Sequence, residues 1–132
     1  MKKLFFLLLI CSLSRGQATF SNGSKQTGAQ KTLESNTCKD IVSFANEDIK
    51  RNQITLFVQG GIAPIISKND PIFEKKYKIK YNDLGCIGNK CTELYNQTIF
   101  DHLTKVFGNR WIKTVQTNTV GFKKWQINKK TI

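Results

Sequence analysis

Between residues 39 and 51 the apolar positions Ile41, Phe44, Ala45 and Ile49 recur at helical spacing, while Lys39, Glu47, Asp48, Lys50 and Arg51 take the other directions. This pattern predicts a helix over 39–51, with Thr37 as its cap and Asp40 three residues on. Residues 53–59, QITLFVQ, are β-branched and aromatic and read as a strand. Its faces are Ile54/Leu56/Val58 and Thr55/Phe57/Gln59, one of them drier, and Gly60-Gly61 ends it. Residues 62–69 form a loop around Pro64. The apolar Ile62, Ile65 and Ile66 are expected to pack there, with a ligand rim as the other reading. Asp70 then caps a short helix over 71–77, in which Pro71 occupies a first-turn position that needs no N–H. Glu74 complements the positive helix end, and Ile72 and Phe73 are expected to turn inward.

Residues 78–84 alternate at period two, with Ile79 and Tyr81 on one face and Lys78 and Lys80 on the other, and Gly85 closes this strand. The connection between the two strands is long enough for a parallel crossover, hence a βαβ unit; an antiparallel pairing is also open. Residues 92–107 carry the best helical stripe, Tyr95, Ile99, His102/Leu103 and Val106, and Gly108-Asn109 supplies the stop. Each fully buried member of that stripe contributes about 1.5–3 kcal/mol. A further short helix over 110–115 presents Trp111, Ile112 and Val115. The expected class is α+β: one small domain, with a sheet of two or three strands packed by helices.

The ends set the compartment. Lys2 and Lys3 precede a run of ten largely apolar residues, 4–13, and Gly16 and Ala18 supply the small residues of a cleavage site. Ten residues are half of the roughly 20 that a membrane-spanning helix needs. Residues 1–18 are therefore expected to be a signal peptide, with cleavage after Ala18 or Gly16. Lipid attachment at Cys11 is the lesser reading, because that processing prefers a small residue where Ile10 stands. Residues 19–36 are polar and nearly free of large apolar groups, which reads as a flexible linker. The folded domain is then expected over 37–122, with a basic tail over 123–132 that either adds a short edge strand or stays loose.

Once Lys2, Lys3 and Arg15 leave with the signal, basic side chains outnumber acidic ones two to one. Such a field favours anionic partners and also keeps a small protein in solution. Three cysteines remain, Cys38, Cys86 and Cys91, in a compartment that favours disulfides. All three pairings are open, and each leaves one thiol over. Closing the short 86–91 loop is worth only about 2 kcal/mol, whereas a bond from Cys38 closes a longer loop and stabilises more. A Cys₃His set with His102 is conceivable by residue type, but its C-x₄-C-x₁₀-H spacing is no tight knuckle and exported thiols oxidise, so no metal and no cofactor are expected.

Catalytic signatures are missing from the sequence: it has no G-x-S-x-G, no phosphate loop and no H-E-x-x-H. The single histidine, His102, sits within an apolar stripe. The chain is expected not to be an enzyme; the alternative is a small exported hydrolase or thiol-dependent enzyme using His102 and a free cysteine. Lysines interleave with aromatics at Lys75, Lys76, Tyr77, Lys78, Lys80 and Tyr81, and again at Lys123, Lys124 and Trp125. Tyr81 shares the Ile79 face, however, so no specific nucleic-acid binding is expected. Asn22-Gly23-Ser24 and Asn96-Gln97-Thr98 match the glycosylation acceptor pattern.

Several motifs carry a resemblance when taken in order. Phe73-Glu74-Lys75-Lys76-Tyr77 with Lys78-Ile79-Lys80-Tyr81, the Gly85-Cys86 step, Tyr95-Asn96 with Phe100-Asp101 and Leu103, Phe107-Gly108 with Trp111, and Val120-Gly121-Phe122 together resemble the FEKKY-domain proteins. These are small exported proteins, mostly of Bacteroidota, and the resemblance spans residues 57–122. It implies a bacterial envelope address, at which the two glycosylation patterns have no meaning. The family has no assigned activity or catalytic residues, so the resemblance implies no chemistry. The functional expectation is a non-catalytic binding domain, periplasmic or secreted, whose partner is an envelope protein or an anionic surface. The expected surface is Ile62, Ile65 and Ile66 together with Lys75, Lys78 and Lys80.

Overall fold

The computed structural model describes residues 25–130; the expected signal peptide, Cys11 and the Asn22 pattern lie outside them. In chain order the elements are α1 (Gly28–Glu34), α2 (Ile41–Arg51), β1 (Ile54–Val58), α3 (Asp70–Tyr77), β2 (Ile79–Asp83), α4 (Lys90–Phe107), a 3₁₀ turn (Arg110–Lys113) and α5 (Phe122–Lys130). The class is α+β, with one two-stranded parallel sheet among helices.

β1 and β2 pair in parallel from Ile54↔Ile79 to Val58↔Asp83, with α3 in the connection, so the crossover reading holds. Both faces of this small sheet are covered. Phe57 meets the Tyr95 ring of α4 edge-on at 5.2 Å, and Tyr81, the partner of Leu56, stacks on Phe73 of α3 at 5.3 Å. The second edge of β1 is closed without a full strand. A single antiparallel bridge joins Val58 to Thr119, the Val120 N–H donates to the Phe57 carbonyl (3.0 Å), and the Gln59 N–H donates to the Asn118 carbonyl (3.0 Å). Fully buried Asn96 of α4 completes that edge. Its Oδ1 accepts from the Phe57 N–H (3.0 Å), and its Nδ2 donates to the carbonyls of Phe57 (2.8 Å) and Val120 (3.0 Å).

Both ends of the domain lie further out than the sequence indicates. The expected linker 19–36 contains helix α1, begun by a capping box between Thr27 and Gln30. Little apolar area orders it, since Ala29 is buried in the core while Leu33 is exposed. The buried carboxylate of Asp48, on α2, accepts from the N–H groups of Gly28 (2.7 Å) and Ala29 (2.8 Å) and from the Tyr95 hydroxyl (2.7 Å). The approach is so close that a Cβ on Gly28 would lie 2.1 Å from the Phe44 carbonyl oxygen. At the other end, the expected loose tail is mostly helix α5. Phe122 and Trp125 enter an aromatic cluster with Phe100 and Trp111, with ring centroids 5.4–6.3 Å apart, and the Trp125 indole N–H donates to Asp101 (3.0 Å).

Smaller corrections have local causes. Asp40, not Thr37, precedes α2, and it makes no side-chain cap bond. Asn69 takes the cap position of α3, while the Asp70 carboxylate accepts from the Ser67 N–H (2.7 Å). Phe73 is buried as expected, but Ile72, one residue before it, points to solvent, and so does Val106 near the end of α4. Lys78 does not begin the strand: it adopts the left-handed conformation (φ 55°) at the end of α3, which turns the chain from helix into β2 without a loop. A disulfide joins Cys38 to Cys91, with 5.0 Å between the Cα atoms, and ties the approach to α2 onto the first turn of α4. Cys86 is free and exposed.

Candidate binding surface

Lys75, Lys78 and Lys80 are brought together. Pro71, Glu74, Lys75 and Lys78 follow one another at helical spacing along one side of α3, and Lys80 is the second residue of β2. A groove of about 700 Å³ opens between that side and the N-terminal ends of the two strands. Asn52, Gln53 and Thr55 add amide and hydroxyl groups to its wall, and the ammonium groups stand at an exposed rim.

The carboxylates near the rim bind backbone N–H groups and form no ion pair with its lysines. Glu74, which also lines the groove, accepts from the Tyr81 N–H (2.8 Å). Asp83 accepts from Gly60 (3.1 Å) and Gly85 (2.7 Å), fastening the C-terminal ends of the strands, and Asp48 is fully engaged at α1. Elsewhere Lys31 and Arg51 share Glu47, Lys124 pairs with Glu93 and Lys129 pairs with Asp101. Lys75, Lys78 and Lys80 make no ion pair among the described residues.

The expected surface is nonetheless divided. Ile62, Ile65 and Ile66 leave the C-terminal end of β1, whereas the lysines surround the N-terminal ends, and in a parallel pair these are opposite ends of the sheet. The loop is not packed either: Ile62 is fully exposed, and Ile65 and Ile66 are 57% and 83% exposed. Ile65 and Ile66 border α3 and the strand ends around a shallow pocket without being covered by them.

The residues of the catalytic alternative are kept apart. Cys38 and Cys91 are bonded to each other; Cys86 lies in the loop before α4, and His102 lies twelve residues into that helix, about 18 Å along its axis. Partial burial and then the Lys105 charge hold the His102 pKa below its ordinary value, so the neutral ring is favoured. Among the described residues no group of three or more His, Cys, Asp or Glu could hold a metal ion, so the Cys₃His set does not assemble. No helix of the described residues is long and apolar enough to cross a membrane. Asn96, half of a glycosylation pattern in sequence, is buried against β1.

Sequence reasoning missed Asn52, Gln53 and Thr55 as groove residues. They are polar positions at an element boundary, and only the pairing of β1 with β2 places them beside the lysines. Comparison with family models, with curated proteins and with solved structures finds no match to the chain.

Proposed function

We propose that this is an exported bacterial envelope protein whose domain binds an anionic envelope partner without catalysis, in the groove bordered by Lys75, Lys78 and Lys80. The observation that carries this reading is the gathering of three unpaired ammonium groups at one concave site while the neighbouring acids are held by backbone N–H groups. Opposed by no adjacent free carboxylate, such a rim attracts negative charge over about one Debye length, roughly 8 Å at physiological salt. The Cys38–Cys91 disulfide fits an oxidising compartment. The resemblance to the FEKKY-domain proteins supports the same address.

The test is crosslinking capture from the native envelope, comparing the parent with a triple Lys75→Gln/Lys78→Gln/Lys80→Gln variant. Glutamine keeps most of each aliphatic stem and removes the charge. Capture is expected to fall roughly 10- to 100-fold, at up to about 1 kcal/mol per exposed charge pair, and to weaken in the parent as salt is raised. An Ile62→Ser/Ile65→Ser/Ile66→Ser variant should retain it. A folded triple-glutamine variant that captures the same partner in the same yield would refute the reading.

A further inference from the structure

The isoleucines left out of the lysine groove stand together at the other end of the sheet. Ile62, Ile65 and Ile66 follow β1, and Ile87 follows β2. Asp83, the last residue of β2, stitches the two loops to each other: its Oδ1 accepts from the N–H groups of both Gly60 (3.1 Å) and Gly85 (2.7 Å). The loops run so close that a Cβ on Gly85 would lie 3.9 Å from the Gly61 carbonyl oxygen. Ile87 is as exposed as Ile66. Single exposed isoleucines are ordinary, but four on two joined loops form a patch, and such a patch marks an interaction site.

Shape and charge narrow the partner. Side chains as exposed as Ile62, Ile66 and Ile87 have almost no protein around them, so they project from the surface rather than line a groove. A partner must therefore close around them, as a fluid lipid interface does. Residues 59–69 and 84–89 contain one charged side chain, Lys68. It stands two residues before α3, and Lys90 opens α4, so a lysine marks the place where each loop re-enters the body. Both lysines are exposed, and neither makes an ion pair among the described residues. The carboxylates beside the loops, Asp70 and Asp83, accept from the N–H groups of Ser67 and of Gly60 and Gly85. An uncharged aliphatic tip with lysines behind it matches the layering of an anionic membrane, where phosphate headgroups lie above acyl chains.

We propose that this end of the domain docks on an anionic phospholipid surface, with the isoleucines entering the interface and Lys68 and Lys90 meeting the headgroups. The lysine groove lies at the opposite end of the paired strands, about 16 Å away along five residues, and so faces away from the membrane.

Cosedimentation of the exported chain with vesicles of equimolar phosphatidylcholine and phosphatidylglycerol, against phosphatidylcholine alone, tests the assignment. Binding to the mixed vesicles is expected, and at least about tenfold weaker binding to the neutral ones. Ile62→Ser/Ile66→Ser/Ile87→Ser should bind the mixed vesicles about a hundredfold more weakly, at up to about tenfold per side chain, with an unchanged urea midpoint. Lys68→Gln/Lys90→Gln should lose about tenfold, and Lys75→Gln/Lys78→Gln/Lys80→Gln less than either. Cys86, exposed beside Ile87, reports the orientation: saturating mixed vesicles should slow its reaction with a polar, uncharged maleimide several-fold. No binding to mixed vesicles, an isoleucine variant that binds as the parent does, a greater loss in the groove variant than in the isoleucine variant, or an unslowed Cys86 would each overturn the proposal. Concentration-dependent pairing of the chain that the isoleucine variant abolishes, without vesicle binding, would overturn it in favour of a second copy.

Discussion

Replacing Asp48 with asparagine tests what holds the N-terminal helix to the domain. The carboxylate receives the Gly28 and Ala29 N–H groups and the Tyr95 hydroxyl, all within 2.8 Å and all buried. Asparagine preserves shape and one acceptor oxygen. Its NH₂ group then stands where the second oxygen accepted, and only Tyr95 can adapt, by turning its hydroxyl to accept. Burial first, and then the bond to Asp48, push the Tyr95 pKa upward, so in the parent this phenol is a permanent donor. The unavoidable loss is one backbone N–H, that of Gly28 or of Ala29 according to how the amide is turned, left facing another donor, at roughly 1–3 kcal/mol. Loss of charge assistance at the remaining bonds adds about 1 kcal/mol. The expected destabilisation is roughly 2–4 kcal/mol, read as a urea midpoint lowered by about 2 M or a thermal midpoint lowered by roughly 10–15 °C. Hydrogen exchange should accelerate first at the Gly28 and Ala29 amides. Tyr95→Phe, which leaves both N–H bonds intact, should cost only about 1 kcal/mol. If Asp48→Asn unfolds within about 0.5 kcal/mol of the parent, the carboxylate does not dock α1 and this account of the N-terminal segment is wrong.

Reducing the Cys38–Cys91 bond, or changing both residues to serine, should cost about 4 kcal/mol from the unfolded-chain entropy of a 53-residue separation, whereas Cys86→Ser should leave the urea midpoint unmoved. Peptide mapping that places Cys86 in the native bond would contradict the structure. Lys78→Gly relieves a left-handed lysine at φ 55° and should raise stability by roughly 0.5–1 kcal/mol while removing one groove charge; a lower urea midpoint would show that its stem packs. Because the folded state depresses the His102 pKa, the unfolded chain binds that proton more readily. Its contribution to stability is present above pH 6.5 and is lost as the pH falls through and below that value. His102→Gln should flatten the stability profile there, and an unchanged slope would exclude His102 as its source.

The elements legible in the sequence are those whose order comes from repeated apolar burial. Tyr95, Ile99 and Leu103 recur over several turns of α4 and are fully buried, and the long connection from β1 to β2 made a parallel crossover available. α1 was illegible because its large apolar side chain, Leu33, faces solvent while a carboxylate from the next helix orders it. α5 was illegible because Phe122 and Trp125 span one turn among lysines, too few positions to establish a period. The disulfide was open because three cysteines allow three pairings, and only the approach of Cys38 to the start of α4 selects one. Of the candidate surface, the lysines were legible as charge and the isoleucines as apolar loop. Their separation follows from strand direction, which no single residue reports.

Net charge from composition is spread evenly in thought but not in the molecule. On α2 and α4 the acids Glu47, Glu93 and Asp101 meet Lys31, Arg51, Lys124 and Lys129, so part of the positive charge there is offset. Around α3 and β2 the acids Asp70, Glu74 and Asp83 serve Ser67, Tyr81, Gly60 and Gly85 N–H groups instead, and the lysines beside them keep uncompensated ammonium groups at a concave rim. A carboxylate bound to N–H dipoles still carries its charge, but it is fixed towards the backbone while the lysine stems reach outward, so a partner approaching the rim meets the positive layer first. The same acids that hold the βαβ corner together therefore decide where the excess charge is displayed, and a substitution that frees Glu74 from Tyr81 would weaken the sheet edge and dim the groove at once.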